Sequence, residues 1–74
     1  MWESGSRVVG GVVFFYEFKY FDEPSDLGIN GGRISKLYIK SGNGDEVMYD
    51  RGWVIFPKNG EAMDIFLDLV MRFN

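Results

Sequence analysis

The sequence contains no cysteine and no histidine. Those two absences remove disulfide scaffolds, zinc sites built on thiolate or imidazole, Cys-His and Ser-His-Asp catalysis, and any histidine pH switch. Surplus positive charge is missing too. Eight Lys and Arg stand against eleven Asp and Glu, a net charge of −3. That balance argues against a basic nucleic-acid module. Long apolar runs are also absent: the longest is Val12 to Tyr16, and Ile65 to Leu67 is shorter still, far below the ~20 residues a membrane-spanning helix needs. Met1-Trp2-Glu3-Ser4 lacks the basic start of a secretion signal. The expectation is a soluble, cytoplasmic protein, and a cysteine-free chain suits a reducing compartment.

What the chain does have is rings: seven Phe, four Tyr and two Trp among 74 residues. A domain of this length buries only about 60% of its unfolded surface. Large side chains that each bury about 150–250 Å² are a dense way to build a core within it. A single domain over residues 1–74 is expected, with no repeat, linker or low-complexity tract.

Val8-Val9, Gly10-Gly11 and Val12-Val13 read as two strands joined by a two-residue turn, because paired glycines permit positive φ. One long strand kinked at the glycines is the alternative. The expected strands cover residues 3–9, 12–21, 33–40 and 46–56. In the second, Phe14, Tyr16, Phe18 and Tyr20 alternate onto one face, which period two assigns to the core. Residues 22–32 form a glycine-rich loop. A loop at Gly42-Asn43-Gly44 pairs Ile39 with Val47 and Leu37 with Tyr49, keeping apolar partners on one face. Asp50-Arg51-Gly52 is expected to bulge or bend the last strand before Trp53.

Asn59 is placed to cap a helix over residues 60–73, with Glu61 in its first turn. Nine of the twelve residues from Ala62 to Phe73 are apolar. Glu61, Asp64, Asp68 and Arg72 form one narrow polar stripe, a wider apolar face than an ordinary surface helix carries. The fold class is therefore α+β, a four-stranded antiparallel meander with a C-terminal helix across one face (ββββα). The uncovered face is expected to hold Phe15, Lys19, Phe21, Ile34, Lys36, Tyr38 and Lys40. Surplus apolar surface points to a partner. Cover by loops and Trp2 is the alternative.

The segments Gly28-Ile29-Asn30-Gly31-Gly32-Arg33-Ile34-Ser35-Lys36-Leu37-Tyr38-Ile39 and Tyr49-Asp50-Arg51-Gly52-Trp53, with Pro57, resemble a family of small proteins from Gram-positive bacteria, their phages and mobile elements. The resemblance spans roughly Trp2 to the helix and is less clear within it. It implies a stand-alone small domain of phage or mobile-element type and supplies no catalytic residues. Small, acidic, cysteine-free phage proteins are often stoichiometric inhibitors of host defence, anti-CRISPR proteins among them, which is an argument by analogy.

Chemical motifs are weak. Gly28 to Gly32 lacks the Gly-Lys-Ser/Thr and the following helix of a phosphate loop, so it reads as turn structure. Asp22, Glu23 and Asp26, or Asn43, Asp45 and Glu46, lack the alternation of a calcium loop, and no metal or cofactor is expected. Tyr49, Asp50 and Arg51 could form a polar site near Trp53, but structural bonding is the simpler reading. Paired carboxylates remain open to acid–base chemistry but need a deep cleft, which so small a domain seldom offers. No enzyme is expected. Lys36, Tyr38 and Lys40, with Lys19, make a basic-aromatic patch, so a single-stranded nucleic-acid binder is the alternative function. A solvated face with extended lysines is the plainer reading of it. The leading expectation is a non-enzymatic protein-binding module that inhibits a host defence complex. Its contact residues would be Met63, Leu67, Val70 and Met71 on the helix, or Phe15 and Tyr38 on the sheet. A homodimer is a third expectation.

Overall fold

The computed structural model describes residues 1–74. Strand β1 (Trp2–Val9) and strand β2 (Val12–Tyr20) form a hairpin. Gly10 (φ 58°) and Gly11 (φ 78°) supply the two positive φ angles of its turn. The glycine pair therefore reverses the chain and does not kink one strand. A single 3₁₀ turn, Ile29–Gly31, interrupts the following loop, and β3 (Ile34–Ser41) and β4 (Gly44–Asp50) come next. A three-residue strand β5 (Trp53–Ile55) precedes the helix α1 (Gly60–Phe73). The sheet is antiparallel in the order β1-β2-β3-β4-β5.

The count of strands corrects the four expected from the sequence. Residues 46–56 do not make one strand. Arg51 takes a φ of 56°, and the Asp50 N–H donates to the Gly52 carbonyl at 2.9 Å. The chain turns back, and Trp53 pairs with Tyr49. The Arg51 N–H is spent on the Ser35 carbonyl at 2.9 Å, which ties this turn to β3. Local turn chemistry outweighs the strand preference of the flanking aromatics.

A second correction concerns Ile34. Lys19 pairs with Lys36 but Tyr20 pairs with Ile34, leaving Ser35 as an extra residue. That bulge inverts the alternation, and Ile34 is fully buried with Leu37 and Ile39. The β3–β4 register is as read: Ile39 faces Val47 and Leu37 faces Tyr49. It is reached by a tighter turn, closed by Ser41 and Gly44, plus a bulge at Glu46.

The core lies between the sheet and α1. Phe14, Phe18, Ile34, Leu37, Ile39, Val47 and Tyr49 face Ala62, Ile65, Phe66 and Leu69 from the helix. Burying a side chain of this kind contributes about 1.5–3 kcal/mol relative to leaving it in water. Asn59 caps the helix, its side-chain oxygen accepting from the Ala62 N–H at 2.7 Å. Its amide nitrogen donates to Glu46, the bulge residue, which also accepts from the Ser41 hydroxyl at 3.0 Å. The cap thus ties the helix start to β4. At the other end, the Asn74 side chain accepts from the Ile34 N–H and donates to the Ile29 carbonyl, each at 2.9 Å.

Candidate functional site

Nothing covers the second face of the sheet. Alternation along each strand decides what it displays. Strand β1 contributes Trp2, Ser4, Ser6 and Val8, and β2 contributes Val13, Phe15, Glu17 and Lys19. These lie beside Lys36, Tyr38 and Lys40 of β3 and Asp45, Met48 and Asp50 of β4. Phe15 is 51% exposed and Trp2 50%. Trp2 reaches across β2 to stack on Tyr38, with ring centroids 6.5 Å apart and planes within 12°. The stack fixes both rings and presents a flat apolar surface. Beside it is a shallow depression of about 550 Å³ whose lining includes Ser4, Ser6, Phe15, Glu17, Tyr38, Lys40 and Asp45.

The charges on this face cancel. Lys19, Lys36 and Lys40 are set against Glu17, Asp45 and Asp50. Lys36 lies 3.6 Å from Asp50, and Lys40 stands opposite Asp45 in the strand register. Lys19 sits over the Phe21 ring at 5.1 Å. The basic-aromatic patch legible in β3 alone is thus neutralised by its neighbours.

The proposed contact residues divide into two groups on opposite faces. Phe15 and Tyr38 are on the open sheet face. On the helix, Leu67 (48% exposed) and Met71 (85%) point outward. Met63 and Val70, in contrast, are packed against the core, so they are less available than their neighbours one turn away. Asp68 does not sit on a free acidic stripe. It is bridged by Arg7 from β1 and by Arg72 one turn on, the latter at 2.9 Å. The hydrogen bond from Arg7 is the chief reason its carboxyl is held below the usual value of 3.8; desolvation opposes it, and the charges of both arginines and the hydrogen bond from Arg72 add to the lowering.

Of the Tyr49-Asp50-Arg51 grouping only the two charged residues meet, with Arg51 Nε 3.5 Å from Asp50, and Tyr49 stands apart from them. The Tyr49 ring is buried and its hydroxyl donates to the Leu27 carbonyl at 2.9 Å, while Asp50 turns to the opposite face toward Lys36. The Gly28 to Gly32 segment is likewise accounted for by packing. A Cβ on Gly28 would collide with the Gly32 backbone, and one on Gly32 would collide with the Asn74 amide. Trp2 is the residue the sequence reading undervalued, as mere cover. Its signal was the period-two pattern of β1, which places it in line with Val8.

A family model described as Domain of unknown function (DUF7678) matches residues 1–74. No curated protein and no solved structure matches the chain.

Proposed function

Because the chain belongs to the DUF7678 family of domains of unknown function, its activity has to be inferred from its own surfaces, and we propose that it is a non-enzymatic protein-binding module that docks through the open sheet face. The observation that carries this reading is a whole sheet face with no covering element, bearing the Trp2–Tyr38 stack and exposed Phe15. Aromatic anchors on a surface with no net charge suit a protein partner better than a phosphate backbone. The resemblance to phage and mobile-element proteins extends the reading to stoichiometric inhibition of a bacterial defence complex, in the manner of anti-CRISPR proteins, within the host cytoplasm. No helix of the chain is long and apolar enough to cross a membrane.

The test is capture from a lysate of a bacterial host, with paired variants. Phe15→Asp and Tyr38→Ala should each release the captured protein, and Leu67→Asp should not. Retention through both sheet-face variants and loss with Leu67→Asp would move the contact to the helix and overturn this docking mode. Binding of single-stranded oligonucleotides that falls steeply with salt and vanishes in Tyr38→Ala would replace it with the nucleic-acid reading.

A further inference from the structure

The two edges of the sheet are finished differently. Strand β5 is three residues long and is followed by Pro57, so it offers a growing sheet almost nothing. Strand β1 runs for eight residues, has no proline, and has a neighbour on one side only. Met1 and Tyr20 exchange both backbone hydrogen bonds at 2.9 Å. In an antiparallel ladder this fixes the parity. Met1, Glu3, Gly5, Arg7 and Val9 bond to β2, while Trp2, Ser4, Ser6 and Val8 aim their N–H and C=O groups outward from the edge.

The sequence of that edge reads the same way in chemical terms from either end. Around Gly5 it runs Trp2-Glu3-Ser4-Gly5-Ser6-Arg7-Val8. Serines flank the glycine, then come opposite charges, then two exposed apolar side chains. A two-fold axis through Gly5 would set this strand antiparallel against its own copy. Ser4 would then pair with Ser6 of the second copy and Trp2 with Val8, through the outward-aimed backbone groups. On the other face, Glu3 would lie opposite Arg7 in a non-hydrogen-bonded pair, where side chains approach most closely. Every one of these matches requires the one register in which paired residue numbers add to ten, and a shift of one residue would lose them all.

Three further observations favour a second copy as the occupant of this edge. Glu3 forms no ion pair within the chain, whereas the Arg7 side chain, paired with Asp68 and still 29% exposed, has five donors to divide between Asp68 and a second carboxylate. Val8 is 69% exposed and lies directly in line with Trp2. Gly5, against whose inner side the Tyr16 ring lies, leaves the axis free of side chains. We propose that the chain forms a two-fold homodimer through β1, joining two five-stranded sheets into one continuous sheet. The two open faces then adjoin at the axis, so that the paired Trp2–Tyr38 stacks belong to one extended surface. This inference stands whether or not that surface binds a host protein.

Sedimentation of the full chain from micromolar to millimolar concentration tests it, together with amide exchange. The expected result is a reversible species of twice the 8.5 kDa chain mass. The amides of Trp2, Ser4, Ser6 and Val8 should gain protection as concentration rises, while those of Glu3 and Arg7 stay protected throughout. Ser6→Pro removes one outward N–H and should leave a folded monomer, since proline is tolerated on an edge. Glu3→Arg sets like charges opposite each other and should weaken the dimer by at least about tenfold at low salt. A chain that stays monomeric throughout overturns the proposal. So does a dimer that survives both variants, or one lost only on Leu67→Asp.

Discussion

Asp68 is held by two guanidinium groups, one from the far strand and one from its own helix, and both interactions need its charge. Because its carboxyl is depressed in the folded chain, the folded state releases that proton more readily than the unfolded state does. The associated stability is present above the ordinary carboxylate value near 3.8 and is lost as pH falls through the lower folded value. Asp68→Asn should therefore destabilise the chain at pH 6, and its difference from wild type should shrink in acid unfolding titrations below about pH 4. Asn74 works by geometry instead. Its amide clasps the loop at Ile29 and the start of β3 at Ile34. Asn74→Ala should cost about 1–3 kcal/mol in chemical denaturation, because two backbone groups lose their partner.

At the scale of elements, the helix is the piece whose faces matter most. Its inner surface is set by Ala62, Ile65, Phe66 and Leu69, and Leu69→Ala should cost about 2–5 kcal/mol by thermal or urea unfolding. Val70→Asp should also destabilise the fold, since Val70 packs against that core. Leu67→Asp should leave stability within about 0.5 kcal/mol, as an exposed site normally does. This contrast checks the rotation of the helix about its own axis. The cap gives a sharper case. Aspartate caps helices as well as asparagine does, yet Asn59→Asp should destabilise the chain, because it places a second carboxylate against Glu46. The strands were legible for local reasons: alternation of rings in β2, and glycine pairs at turns. What misled the reading of residues 46–56 was also local in origin. An arginine rarely adopts positive φ, so the Arg51 turn looked like a bulge.

For the whole molecule, the decisive asymmetry is a sheet with one face buried and the other bare. Its bare face carries equal numbers of lysines and carboxylates, so partner binding there should change little between low and moderate salt. A steep decline in a binding titration would contradict that. The helix signal, with its cap and its apolar excess, and the pairing of β3 with β4 were both readable in the sequence. Sorting Met63 and Val70 from Leu67 and Met71 was not, because a helix with nine apolar residues in twelve has no unique apolar side. Only the sheet beneath it selects one. Ile34 shows the same limit in a strand, where one extra residue, Ser35, turns it from the bare face to the core.

By itself the sequence determined the α+β class, the hairpins, the capped helix and the absence of thiol and imidazole chemistry. These follow from φ preferences, periodicity and residue type, which act over a few neighbouring positions. The tertiary structure alone decided the fifth strand, the burial of Ile34, the neutralised lysines and the stack of Trp2 on Tyr38. Each of those depends on which strand lies beside which, and in what register. Register is a cooperative outcome of the whole sheet, so no single segment of the chain contains it.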